Sequence, residues 1–173
     1  MMGLPNLLSL LRILLIPVYL YYFLAGNYIT AAIIFSFSAL TDFLDGYFAR
    51  KYQLTSDLGR ILDPTADKLS IISILIALII SDIIPHYIPV ILLIRELFIF
   101  ISSGITYLLG YDMINPSLLG KISIFLLYLA IALRLLNIKF IGLFLFYLVI
   151  PLNIVSGLDY IKTTLNKLSS KVN

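Results

Sequence analysis

Six stretches of this chain are apolar enough to cross a bilayer, and the segments that join them are short. A membrane helix needs roughly 20 predominantly apolar residues. The stretches run from about Leu4 to Leu24, from about Tyr28 to Arg50, and from near Gly59 to near Ser81. The fourth follows Pro85 and runs to about Leu109, the fifth from about Pro116 to Leu136, and the sixth from near Lys139 into a lysine-bearing tail. In lipid the backbone must satisfy its own polar groups, which for segments of this length means helix. The sequence therefore predicts an all-α membrane protein, a six-transmembrane-helix bundle forming one domain over residues 1–173. The composition agrees: 61% of residues are hydrophobic, 12% are charged, and the mean hydropathy is +1.07. A soluble domain carries about twice that charged fraction. Short connections predict that consecutive helices are antiparallel neighbours.

Charge placement predicts orientation. With the N-terminus in the cytoplasm, the inner side holds Arg12, Arg50, Lys51, Arg60, Lys68, Lys121, Lys162, Lys167 and Lys171, and the outer side Arg134 and Lys139. Both termini are then cytoplasmic, and the protein is integral to the cell's inner membrane. The net charge of +3 is small and forms no basic stripe interleaved with aromatics, so no nucleic-acid partner is expected. The absence of cysteine excludes disulfides, thiolate catalysis and Cys-ligated metal sites.

Against this apolar background the acids stand out. Of nine Asp and Glu residues, Asp42, Asp45, Asp63 and Asp67 fall in one short stretch. On the second helix, Asp42, Asp45, Gly46, Ala49 and Arg50 share a face; on the third, Gly59, Asp63 and Asp67 do. A short loop lets the two faces meet at the cytoplasmic boundary. Carboxylates at that density repel one another in a membrane unless cations neutralise them. Arg50, Lys51 and Arg60 are too few and too peripheral for that. Oxygen-only ligands favour a hard cation such as Mg2+, Mn2+ or Ca2+. Four carboxylates exceed what one Mg2+ usually takes, so two metals are expected, an arrangement suited to clamping a pyrophosphate. Gly46 and Gly59 clear space for a phosphate to approach the backbone. Arg50 offers a planar fork of donors, Thr55 and Ser56 offer hydroxyls, and Pro64 is expected in the first turn or so of the third helix.

These residues also carry a family pattern. D-x2-D-G-x2-A-R-x8-G-x3-D-x3-D is matched in full by Asp42, Asp45, Gly46, Ala49, Arg50, Gly59, Asp63 and Asp67. The chain thereby resembles the CDP-alcohol phosphotransferases, and its opening L-P-N-L-L-S-L-L-R resembles the phosphatidylglycerophosphate synthase and cardiolipin synthase branch. The resemblance implies transfer of the phosphatidyl group of CDP-diacylglycerol to an alcohol, with release of CMP. It implies two divalent cations, Mg2+ or Mn2+, held by Asp42, Asp45, Asp63 and Asp67, with Asp67 as general base. Gly46, Arg50, Ser56 and Gly59 would line the CDP site, and Asn6 and Ser9 would complete it. A homodimer embedded in membrane lipid is implied as well.

For the acceptor, Arg95-Glu96 and Gly120-Lys121 resemble elements of members that accept glycerol 3-phosphate. Arg95, Lys121 and the Ser102-Ser103-Gly104 segment would hold that acceptor; the bland alternative is that Arg95 pairs structurally with Glu96. Two cations usual in such members are replaced here by Ser103 and Ser123, which keeps phosphatidylglycerol, the acceptor of cardiolipin synthases, as the alternative, together with inositol-phosphate and ether-lipid variants of the same chemistry. A cation transporter is the rival from another class, but such sites usually lie at the bilayer midplane on repeated, broken helices. Elsewhere, His86 is expected as a surface residue. Arg12 is expected either to snorkel or to reach a phosphate, Arg134 and Lys139 to be interfacial, and the tail to lie on an anionic surface.

Overall fold

Long apolar runs bounded by turn residues fold here into six helices: α1 (Leu4–Leu24), α2 (Tyr28–Tyr52), α3 (Asp57–Ile80), α4 (Tyr87–Leu108), α5 (Leu118–Leu135) and α6 (Lys139–Ser169). This computed structural model describes the backbone of residues 4–52, 57–111 and 117–169, and the side chains of residues 7–41, 62–111 and 117–166. Asn6, Asp42, Asp45, Gly46, Arg50, Ser56 and Gly59 lie outside the described side chains.

The helix ends have local causes. Gly26 (φ 77°) follows α1, and Asn27 N–H bonds back to the Tyr22 carbonyl at 2.9 Å. Gly110 (φ 78°) does the same for α4, with Tyr111 N–H on Thr106 at 3.1 Å. Asn137 (φ 65°) closes α5, with Ile138 N–H on Leu133 at 2.9 Å. In each case a left-handed residue lets the chain satisfy carbonyls that the helix leaves open. At the other ends, Asn27 Oδ1 accepts from Thr30 N–H at 3.3 Å and Ser117 Oγ from Gly120 N–H at 3.2 Å.

Two ends differ from expectation. α3 begins at Asp57, so Pro64 lies inside the helix and not in its first turn. There it denies one carbonyl its intrahelical donor. α6 also runs on as one helix to Ser169, past Pro151.

Among the described residues the packed pairs are α1 with α2 and α3, α3 with α4, α4 with α6, α6 with α5, and α5 with α2. The helices therefore close a ring in the order α1, α2, α5, α6, α4, α3. Among the described residues α4 and α5 are not a packed pair, which corrects the expectation that all consecutive helices are neighbours; the α2–α3 junction lies outside the described side chains. The expectation holds for α1–α2, α3–α4 and α5–α6, while α6 lies against both α4 and α5. The ring encloses Tyr19, Phe35, Ile71, Ile74, Leu78, Leu92, Leu127, Ile131 and Phe146, all essentially without solvent contact.

Polarity is distributed as a membrane demands. Leu14, Ile33, Ile80, Ile94, Leu108, Phe125 and Phe140 are exposed, whereas Ser9, Arg12, Ser70, Glu96, Ser123, Asn153 and Ser156 are buried. Costly polar groups face the bundle interior. Arg12, fully buried, does not snorkel. Four helices, α1, α4, α5 and α6, contain apolar spans long enough to cross a bilayer. The chain is an integral membrane protein. The apolar part of α2 is shorter (Tyr28–Thr41), and α3 carries Asp63, Asp67 and Lys68 in its described half.

α5 and α6 meet closely at Gly142, where a Cβ would stand 3.0 Å from Arg134 N and 3.1 Å from its Cα. Backbone neighbours cannot rotate away. Gly142→Ala should lower the thermal midpoint in detergent, because overpacking of about 1–3 kcal/mol exceeds a helix-propensity gain of about 1 kcal/mol. Gly104→Ala, with nothing within 4 Å of its Cβ, should hold or raise that midpoint.

Candidate active site

Asp63 and Asp67 lie one turn apart on α3, on the side that meets α1 and α5. Ser9 on α1 donates its hydroxyl proton to Asp63 Oδ1. Tyr128 on α5 donates to Asp67 Oδ1 at 2.8 Å. The Tyr128 ring stacks on Phe35 of α2, with centroids 5.2 Å apart and planes 27° apart. Phe35 in turn meets Tyr19 edge to face at 5.5 Å. Tyr19 Oη donates to the Ser70 carbonyl at 3.0 Å and lies 2.6 Å from Ser73 Oγ. An aromatic ladder thus runs across the bundle and holds the hydroxyl of Tyr128 on Asp67.

Two basic residues near this face, Lys68 and Arg95, are committed elsewhere. Lys68, directly after Asp67, forms a 2.6 Å ion pair with Glu96 of α4. Arg95 pairs with the other oxygen of Glu96 and donates from Nη2 to Ser156 of α6 at 2.8 Å. Ser156 passes its own proton to the Asn153 carbonyl at 3.1 Å. Glu96 has no solvent exposure. An uncompensated carboxylate at such a place costs several kcal/mol, so the two cations are what make its burial possible. The aliphatic stem of Arg95 runs beside Gly157.

Among the described residues, therefore, no Lys or Arg pairs with Asp63 or Asp67. Each carboxylate has one neutral hydroxyl partner and keeps lone pairs to offer. Such a donor set fits a hard divalent cation bound through oxygen. Asp42 and Asp45, on the segment of α2 whose side chains are not described, are the other two acids of the sequence pattern.

A family model described as CDP-alcohol phosphatidyltransferase matches residues 2–157. The chain belongs to this family. A CDP-diacylglycerol–glycerol-3-phosphate 3-phosphatidyltransferase of Rickettsia felis is 33% identical, over 92% of this chain and 94% of its own. One from Bacillus subtilis is 32% identical, over 79% of this chain and 78% of its own. A cardiolipin synthase (CMP-forming) of Streptomyces coelicolor is 34% identical, over 79% of this chain and 66% of its own. The crystal structure of Mycobacterium tuberculosis phosphatidylinositol phosphate synthase shares the fold, with a TM-score of 0.67 at 18% identity, over 92% of this chain and 87% of that one.

In this CDP-alcohol phosphatidyltransferase the structure brings together Ser9, Asp63 and Asp67 of the residues singled out by sequence. It leaves Lys121 exposed on α5, while Arg95 turns to Glu96 and Ser156. Ser102 Oγ bonds within its own helix, to the Phe98 carbonyl at 2.7 Å. Ser123 is fully buried. Lys68 and Tyr128 are the additions. The first was legible only as a neighbour of Asp67. The second carries no motif, and its place depends on α5 packing beside α2.

Two substitutions separate these contacts. Tyr128→Phe keeps the ring on Phe35 and removes one bond to a charged group. CMP release should fall about tenfold, the equivalent of about 1.4 kcal/mol, with the thermal midpoint little changed. Glu96→Ala leaves two partly buried cations without their carboxylate and should cost about 3 kcal/mol of stability, more than about 1 kcal/mol for Ser156→Ala. Unfolding in detergent measures both.

Proposed function

We propose that this chain transfers the phosphatidyl group from CDP-diacylglycerol to glycerol 3-phosphate, giving phosphatidylglycerophosphate and CMP in phospholipid biosynthesis. The observation that carries this reading is likeness over nearly the full length to transferases of that name, from Rickettsia felis and others. The arrangement around Asp67 supports it. With Oδ1 engaged by Tyr128, the second oxygen of Asp67 is left to take the proton of the acceptor hydroxyl. The deprotonated oxygen then forms a bond to the β-phosphorus, which bears the diacylglycerol. The bond from that phosphorus to the CMP phosphate oxygen breaks, and its electron pair leaves on CMP.

Asp42, Asp45, Asp63 and Asp67 would hold two divalent cations, Mg2+ or Mn2+. When bound, these supply charge neutralisation for the pyrophosphate and for the departing CMP. Ser9 orients Asp63. Asn6, Gly46, Arg50, Ser56 and Gly59 would approach the CDP moiety, through side-chain donors or through backbone cleared of side chains. Arg95 and Lys121 would receive the acceptor's phosphate, Arg95 through the donor capacity that Glu96 and Ser156 leave over.

In this reading all six helices span the bilayer, with the charged ends of α2 and α3 at the headgroup level. Both termini and the acid face are on the cytoplasmic side of the inner membrane, and the enzyme works as a homodimer. A second reading, phosphatidylglycerol as acceptor, draws on the likeness to the Streptomyces coelicolor cardiolipin synthase and on Ser103 and Ser123 standing where cations are usual.

An acceptor screen with CDP-diacylglycerol decides between them. Glycerol 3-phosphate should release CMP and phosphatidylglycerol should not; the reverse result discards the preferred acceptor. Chelation should stop CMP release, and Mg2+ or Mn2+ should restore it. Asp67→Asn should abolish turnover in a folded protein, and full activity in that variant would remove Asp67 as the base.

A further inference from the structure

The end of the bundle remote from Asp63 and Asp67 holds a second polar feature. A pocket of about 400 Å3 opens where the α1–α2 turn, the α3–α4 connection and the α5–α6 turn converge. Its polar lining is Asn27, Tyr28, Arg134, Asn137 and Lys139, with Ile83 beside them. The nearest end of α3, Ile80, lies about 20 Å along the helix from Asp67, at about 1.5 Å per residue. A ligand here cannot reach the reacting atoms.

The pocket is built for negative charge. It has two cationic side chains and no carboxylate in its lining. The nearby acid, Asp82, is 98% exposed and pairs with His86 at 3.2 Å. α2 starts at Tyr28 and α6 at Lys139, so two helix N-termini, with their partial positive charge, open at the rim. Arg134, expected to be interfacial, lies in the last turn of α5 and is half-buried, with Nη2 donating to the Ile83 carbonyl and with Nε buried and without a hydrogen-bond partner. The left-handed backbone of Asn137 is what turns Arg134 and Lys139 toward one space.

The surroundings name the anion's source. Leu24 (67% exposed), two residues before the lining residue Gly26, and Phe140 (85% exposed), next in sequence to Lys139, present apolar surface that a bilayer would cover. An anion arriving there with hydrocarbon attached loses less than one that must leave water. A volume of about 400 Å3 is at the small end of ligand sites and suits a headgroup, not a whole lipid. The planar guanidinium matches phosphate oxygens. We propose that this pocket binds the phosphate of an anionic phospholipid headgroup as a resident lipid, distinct from any lipid that reacts near Asp67.

Native mass spectrometry of the purified chain, titrated separately with phosphatidylserine and phosphatidylcholine, tests this. The variants are Lys139→Gln, which removes an exposed charge and leaves the Arg134–Ile83 contact, and Lys162→Gln as a matched control on the far part of α6. Phosphatidylserine should be retained at least fivefold over phosphatidylcholine by the wild type and by the Lys162 variant. The Lys139 variant should lose that preference while keeping its rate of CMP release. Thermal shift with inorganic phosphate distinguishes the sources. No shift supports the headgroup, and a Lys139-dependent shift with equal retention of both lipids replaces it with free phosphate. Equal lipid retention by all three proteins without such a shift, or equal loss in both variants, overturns the site.

Discussion

The carboxylate of Glu96 is the contact on which the interior depends. It is buried without water and shared between Lys68 of α3 and Arg95 of α4, and Arg95 extends to Ser156 of α6. One acid thus ties three helices of the ring. Its second effect is electrostatic. A lysine immediately after Asp67 could neutralise the neighbouring aspartates, and Glu96 draws it away. Among the described residues, Asp63 and Asp67 then remain oxygen donors with hydroxyl partners, a set that suits a cation. Structural cohesion and the electrostatics of the acid face come from the same three charges.

Much of this was legible in sequence because the bilayer simplifies the problem. Each apolar run must be a helix, so the α1, α4 and α5 boundaries fall within a few residues of those expected from the apolar runs. The i, i+4 spacing of Asp63 and Asp67 fixes a shared face whatever surrounds them. What sequence could not supply is the order of helices around the ring. Short connections favour consecutive neighbours, yet α6 lies against both α4 and α5. Tyr128 became visible only with that order, since it needs α5 beside α2 and within reach of α3. Arg95 shows the opposite limit: its partner Glu96 is adjacent in sequence, but Lys68 and Ser156 come from other helices.

The two ends of the bundle are opposite in character. Around Asp63 and Asp67 the described groups are acids held by neutral hydroxyls. Around Arg134 and Lys139 they are cations and helix N-termini with no acid in the lining. The aromatic ladder of Tyr19, Phe35 and Tyr128 and the aliphatic residues from Ile71 to Leu78 separate the ends. Opposite charges about 20 Å apart along the bundle retain their separate preferences for ligands, because at solvent-facing ends that distance exceeds the screening length of about 8 Å at physiological ionic strength.

Pro64 stands between Asp63 and Asp67, inside α3. A proline there omits one rung of the helical ladder. Above it, Asp67 is fixed by Tyr128, and the helix continues into the packed run ending at Ile80. Below it, Asp63 is tied to α1 through Ser9. The omitted rung joins positions 60 and 64, one turn before the span from Asp63 to Asp67, so whatever give it allows lies ahead of the two carboxylates and their spacing along α3 is kept.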